Sequence, residues 1–302
     1  MFHLREMKQQ QCDVLIIGAG LTGLYLAYLL KQEGKKVQVV EARDRIGGRI
    51  FTLYEEGKAP QEMGATWLGR KHKALTNVLQ ELDIKVFEQA LGGTAIYEPI
   101  STSPPQIVQL PANSDPSFRI AGGTSQVINR LASFLDTGTI QLKQTVGESI
   151  KIGLTYRTPF WRTKGSSGTI MSNVGPIPEM YDHANYEDDA YALIGFLNGS
   201  YHGVSRDQRI ELIINQLKKY YGDQVLNYLS YDEVVWSKER FTHASYANYM
   251  FPHQNNGHKI YRQPFLNGKL HVAGTETADE HAGYMDGAIR SAQYVSREIT
   301  TL

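Results

Sequence analysis

The sequence predicts an α/β protein, with one domain built on a parallel sheet and a second, α+β domain built on a mixed or antiparallel sheet. Three observations carry this. The run Val14 to Ile17 is apolar and rich in β-branched residues, as a buried parallel strand is. It leads into Gly18-Ala19-Gly20-Leu21-Thr22-Gly23, an apolar run from Leu24 to Leu30, a break at Gly34 and a second strand ending at Glu41. The chain has 302 residues, enough for a large core and ordinarily for two domains.

The first forty residues after Asp13 thus read strand, glycine turn, helix, turn, strand, acid. Gly18 permits the sharp turn, Gly20 lets backbone approach a diphosphate, and Gly23 lets helix and strand pack closely. The helix would point its free N–H groups and positive dipole end at that diphosphate, with Leu21 and Thr22 in its first turn. Glu41 lies 18 residues past Gly23, where a carboxylate can accept hydrogen bonds from ribose hydroxyls. This is a Rossmann-like arrangement.

Composition narrows the classes. Lys plus Arg equals Asp plus Glu at 31 each, so nothing suggests a nucleic-acid or acidic-membrane partner. Cys12 is the one cysteine, which precludes an intramolecular disulfide, and no Cys/His cluster has metal spacing. The first ten residues lack the apolar core of a signal peptide, and no stretch approaches ~18 apolar residues. A soluble, cytoplasmic protein is expected.

The residues after Glu41 choose the dinucleotide. They read Ala42-Arg43-Asp44-Arg45-Ile46-Gly47-Gly48-Arg49, and a nicotinamide dehydrogenase has no need of that second glycine pair and arginine. The alternative is a solvated basic loop. The run resembles the signature of FAD-dependent amine oxidases, whose relatives include polyamine oxidases, L-amino-acid oxidases and phytoene desaturases. The whole chain most resembles the flavin-containing monoamine oxidases. Arginines there suit phosphate, and glycines admit close backbone.

The resemblance extends along the chain. Gly64-Ala65-Thr66 matches a loop that passes the flavin ring, while Trp67 by itself reads as a core tryptophan. Gly122-Gly123-Thr124-Ser125-Gln126 resembles a turn whose glutamine lines the substrate cavity, which makes Gln126 a candidate substrate contact. The strand Thr139 to Val146 alternates, and the residue matching Val146 sets its backbone against adenine. Gly147 to Lys151 then resembles the start of a much later family strand, so several dozen residues of the family pattern are missing here. A compact variant, a deletion and a segment outside this sequence all fit.

Ile150-Lys151 through Pro159-Phe160-Trp161 resembles the strand whose lysine reaches flavin N5 through a water. Without the resemblance, Lys151 reads as a solvent-facing residue of an edge strand. Tyr231 to Trp236 is another strand-like piece, with Trp236 assigned to the cofactor side. At Ser245 the family's flavin-linking cysteine is replaced, which implies non-covalent FAD. Tyr246 matches one tyrosine of an aromatic cage and Tyr284 the other. Gly274-Thr275-Glu276 closes an expected short strand, and a helix beginning near Gly283 would set the N–H groups of Tyr284 and Met285, with Ala288, beside the flavin.

The resemblance implies interleaved domains: 1–85, 130–150 and 240–302 bind FAD, and 86–129 with 151–239 face the substrate. It implies oxidation of a small-molecule amine to an imine, with O2 reduced to hydrogen peroxide. Lys151, Tyr246, Tyr284 and Gln126 would serve the reaction, and a homodimer stays open. Three alternatives stand beside it. An amino-acid oxidase would need an arginine, such as Arg119 or Arg162, for the substrate carboxylate. A desaturase would not need the tyrosine pair. A non-catalytic protein would hold FAD badly because of the short middle.

Overall fold

The structure is a computed structural model that describes residues 12–90, 93–110, 115–142, 150–236 and 255–301. The chain divides into two compact units. The first comprises Met1–Gly48, Ile128–Lys143 and His253–Leu302; the second comprises Arg49–Val127 and Gln144–Pro252.

The first unit carries a three-stranded parallel sheet with Val37–Glu41 between Val14–Ile17 and Ile140–Leu142. The helix Leu21–Gln32 follows the glycine turn and packs against the helix Met285–Thr300. Its Leu24, Ala27 and Leu30 are wholly buried, with Tyr25 and Leu26 nearly so. Gly34 ends it with φ 73°, a conformation that costs a side-chain-bearing residue strain. Lys31 in the last turn donates to Phe134 O and Asp136 Oδ1, fixing the segment that leads to the third strand.

Gly23 has a steric requirement. A Cβ placed there would lie 2.0 Å from Gly18 O. Gly23→Ala is therefore expected to force helix and strand apart, at about 1–3 kcal/mol of overpacking cost. Thermal unfolding of the variant checks this, and an unchanged midpoint contradicts it.

Two expectations need correction in this unit. The strand Val14–Ile17 is not buried on both faces: Ile16 is 7% exposed, but Leu15 is 56% and Ile17 83% exposed. The helix Leu21–Gln32 packs on the sheet, and Ile16 is covered along with Val39 of the neighbouring strand. The short strand expected before Gly274 is also absent. Leu270 makes one isolated antiparallel bridge with Phe265, and Thr275–Thr277 is a 3-10 turn. With no ladder partner among the described residues, Val272 stays partly exposed.

The second unit is built on a seven-stranded mixed sheet. Its order is Ser230–Val235, Ile150–Tyr156, Tyr191–Leu197, Glu179–Asp182, Ser166–Ser172, Thr94–Glu98, Gln106–Gln109. Every pairing is antiparallel except Ser166–Ser172 with Thr94–Glu98. The helix Arg206–Tyr221 opens on a capping box, Ser205 with Gln208. Its Ile213 and Leu217 share a core with Ile150, Ile152, Leu154, Trp161 and Leu193. A second helix, Lys73–Glu81, buries Leu75, Val78 and Leu79, the face its spacing predicts. Among the described residues the unit has two smaller sheets: Ser117–Ile120 between Leu68–Gly69 and Val86–Glu88, and Thr52–Leu53 with Gln61–Glu62. Glu187, Asp188 and Asp189 are exposed, as a solvated surface requires.

Candidate functional site

In the first unit, Gly20 is the N-cap of Leu21–Gln32 and contributes no side-chain bond to the helix end. The first-turn N–H groups of Leu21, Thr22 and Gly23 have no carbonyl one turn back, so they suit an anion. Gly18 takes φ 106°, open only to glycine in practice. The second glycine pair lies against the first: Gly47 N donates to Ala19 O at 2.8 Å, and a Cβ on Gly48 would meet Gly20 Cα at 3.3 Å. Glu41 is buried and accepts from Ala19 N at 2.7 Å and Arg43 N at 2.8 Å. A carboxylate has lone pairs left for ribose hydroxyls, so the glycine cradle and this acid fit a dinucleotide. Arg43 is buried and Ala42 exposed; Arg45 Nη1 closes the loop on Gly48 O at 3.0 Å.

The C-terminal residues of the same unit form a tight knot. Gly274 N donates to Thr277 Oγ1 and Ser291 Oγ, Gly283 N to Thr275 O, and Thr275 Oγ1 to Tyr284 O. Tyr284 is the N-cap of Met285–Thr300, again without a side-chain cap, and is 55% exposed. Met285 and Ala288 are buried, and Glu276 lies in the 3-10 turn. Asp286, fully buried in the first turn, accepts from His281 Nδ1 at 2.7 Å and Arg290 Nε at 2.8 Å. That cluster pins the loop before the helix.

In the second unit Lys151 is 2% exposed, on a strand flanked by neighbours on both sides. The edge-strand reading of Lys151 is therefore overturned. Its Nζ donates to Gly64 O at 2.7 Å and to Thr66 Oγ1. It also lies 5.1 Å from the Trp67 ring and 5.2 Å from the Phe196 ring. Trp67 meets Tyr181 edge-on at 5.2 Å and donates through Nε1 to Gln89. Burial pulls the Lys151 pKa down to about 7, against the opposing pull of Glu62 and Glu179. Lys151 can thus hold or release a proton near neutrality.

Glu62 is buried too. Thr124 N and Thr52 Oγ1 donate to it, yet burial still raises its pKa, with Lys151 among the groups that oppose the rise. Gly64 admits no side chain, since a Cβ would lie 2.0 Å from Arg49 O, and Ala65 N donates to that same carbonyl. Trp236 is buried and bonds Met63 O through Nε1 at 2.8 Å. Gln126 is exposed and folds back on Gly122 O.

The structure therefore brings Lys151, Gly64 and Thr66 into contact, and the two glycine pairs likewise. Val146, Ser245 and Tyr246 lie outside the described residues. Sequence reasoning missed Glu62, Tyr181, Phe196 and His183. Glu62 left one legible trace, an acid beside the small-residue loop Gly64-Ala65; the others sit in strands where nothing in their spacing sets them apart.

The architecture is an α/β fold with a mixed sheet, similar to that of FAD-dependent amine oxidases. It aligns with putrescine oxidase bound to putrescine at a TM-score of 0.82, with 22% identity over 97% of this chain and 100% of that one. Residues 21–112 and 143–300 match the flavin containing amine oxidoreductase family, and the chain belongs to it. The family's description is of flavin-containing oxidoreductases of amines.

The chain is similar to the probable flavin-containing monoamine oxidase A of Dictyostelium discoideum. The two are 23% identical over 447 aligned positions, 95% of this chain and 97% of the relative. An alignment of 447 positions against 302 residues leaves at least 145 positions without a residue of this chain. It is also similar to putrescine oxidase of Kocuria rosea, 31% identical over 163 residues. That match takes in 52% of this chain but only 33% of the relative, so the chain spans about a third of that protein's length there. Among the described residues no helix is long and apolar enough to cross a membrane.

Proposed function

We propose that the chain oxidises a small-molecule amine to an imine with FAD, held without a covalent link. Bound there, FAD would supply acceptance of a hydride from the amine-bearing carbon and transfer of electrons to O2, giving hydrogen peroxide. Within a chain of this family, the observation that supports the reading most is Lys151: a buried amine on an inner strand, walled by Trp67 and Phe196 and titrating near neutrality. A cation in such a place needs a purpose, since desolvating it is costly.

The remaining roles follow from chemistry. Gly18, Gly20 and Gly23 admit a diphosphate to the N–H groups of Leu21–Gln32, and Glu41 receives ribose hydroxyls. Tyr284, half exposed at the head of its helix, serves with Tyr246 to flank the amine. Gln126 offers an amide to the substrate. Imine hydrolysis gives an aldehyde or ketone and ammonia. A cytoplasmic location suits the absence of a spanning helix among the described residues.

Ser245 carries the proposal of non-covalent FAD, because a serine is not expected to form the thioether of the linking cysteine. Acid or heat precipitation is expected to release all flavin into the supernatant. Flavin that stays with the pellet contradicts it.

A second reading has two observations in its favour. The 145 or more aligned positions without a residue here, together with the bare Leu15 and Ile17, suit a chain that holds FAD poorly. The absorption spectrum of the purified protein separates the two, through the presence or absence of the flavin bands.

A further inference from the structure

The strand Gln61–Glu62 lies across the face of the large sheet that carries Lys151. Gly153, two residues along the strand from Lys151, faces the same way, and a Cβ on it would lie 1.8 Å from Gln61 Oε1. Gln61 Nε2 donates to Asp232 Oδ2 at 2.6 Å, and Asp232 stands opposite Gly153 on the neighbouring strand. From Glu62 the chain runs directly into the loop whose Gly64 O and Thr66 Oγ1 accept from Lys151 Nζ. Both acceptors are neutral. No carboxylate among the described residues touches the ammonium, so its charge is balanced from further off.

Two acids lie within reach of that charge, Glu62 and Glu179. Glu62 is 3% exposed. Thr52 Oγ1 donates to it at 3.0 Å, and so does Thr124 N, at the head of the helix Ser125–Ser133. Burial raises its pKa, but both donors and Lys151 itself favour the carboxylate. Glu179 shares a row of the sheet with Lys151, with Phe196 between them. It is only half-buried and accepts from Tyr181 OH at 3.0 Å. Solvent screens a half-buried acid much more than a buried one. Two basic groups share the neighbourhood. His183 is kept neutral, by burial first and then by the charges of Arg119 and Lys151. Arg119 feels Asp182 ahead of Glu62.

We infer that Glu62 is the counter-charge of Lys151, a positioning residue that keeps the ammonium charged from behind the Gly64–Thr66 loop and serves the reaction only through it. Its use to the enzyme rests on the reading that Lys151 assists O2. A buried cation with no anion in reach sheds its proton. An ammonium has three N–H donors, and Gly64 and Thr66 take two of them. A carboxylate in contact would take the third. One held at a distance supports the charge and leaves that donor open.

Heteronuclear NMR of the purified full-length chain with isotope-labelled lysine tests this, the Lys151 side-chain signal being identified by its loss in Lys151→Met. In the wild type that signal is expected to titrate near pH 7. Glu62→Gln keeps an acceptor for Thr52 and Thr124 and removes only the charge. It is expected to lower the midpoint by about one pH unit, tenfold in the protonation equilibrium, and Glu179→Gln by clearly less. This readout needs no turnover. In stopped-flow reoxidation, the fall in rate with rising pH is expected to move down by the same amount in Glu62→Gln. A shifted midpoint with an unshifted rate profile supports Glu62 as the counter-charge and sinks the reading of Lys151 instead. An unchanged midpoint in Glu62→Gln, or a shift at least as large in Glu179→Gln, overturns the inference. If Glu62→Gln does not fold, the Glu179→Gln chain decides. Its Lys151 signal is expected to show a second inflection in acid, where Glu62 takes up its proton, and a single inflection overturns the inference.

Discussion

Lys151→Met is expected to slow reoxidation of the reduced enzyme by O2 by an order of magnitude or more, about 1.4 kcal/mol or above on the barrier. Reduction by amine in the absence of oxygen is expected to change modestly. The substitution keeps the length and the apolar stem but removes the charge. Negative charge develops on O2 as it takes up an electron, and a cation in a dry site stabilises that charge strongly. Lys151 sits in such a site, buried and ringed by Trp67 and Phe196.

The pH dependence follows with a definite sign. Burial brings the Lys151 pKa down to about 7, so the cation predominates below that pH and is lost above it. Wild-type reoxidation is therefore expected to fall as pH rises through the neutral region, and the methionine variant to show no such step. Stopped-flow absorbance of the two half-reactions reads both effects. Identical reoxidation in wild type and variant reduces Lys151 to a strand residue.

Arg209→Ala is expected to destabilise the second unit by about 3–5 kcal/mol, the usual consequence of removing one partner of a buried ion pair. Arg209 and Glu233 are 3% and 7% exposed, with Arg209 Nε donating to Glu233 Oε2 at 3.0 Å and Nη2 to Oε1. Arg209 also caps the Val204 carbonyl, and Tyr231 donates to Glu233 at 2.6 Å. The pair ties the helix Arg206–Tyr221 to the strand Ser230–Val235. Truncating the arginine leaves a buried carboxylate with one hydroxyl donor. Replacing both, as Arg209→Met with Glu233→Leu, is expected to restore most of the loss, because no charge is then stranded. Urea denaturation followed by circular dichroism measures this; a single variant as stable as wild type contradicts it.

The glycine turn, the helices and most strands were legible because each depends on local pattern. Gly18 to Gly23 needs particular backbone angles, and Leu75, Val78 and Leu79 repeat at helical spacing. Lys151 was legible only through resemblance: its seven-residue strand gives no sign of being flanked on both sides. Glu62 and His183 were hidden for the same reason, and Arg119 was named only as one of two candidate arginines. Each gains its character from groups distant in sequence, as when Glu62 meets Thr124 and Arg119 meets Ala184. The strand lost before Gly274 shows the converse. Leu270-His271-Val272-Ala273 has strand-like composition, but composition cannot supply a partner, and the segment pairs only at Leu270. Likewise Leu15 and Ile17 have the character of buried residues while the described unit covers only one side of their strand.

The central claim is that this chain oxidises amines with FAD. Anaerobic mixing of the purified flavoprotein with a panel of amines and amino acids, followed by admission of air, tests it most directly. The account predicts that at least one amine bleaches the visible flavin absorption, and that air restores it with release of hydrogen peroxide. A protein that carries flavin but is bleached by no member of the panel, or a protein purified without flavin that cannot be loaded with FAD, would contradict it.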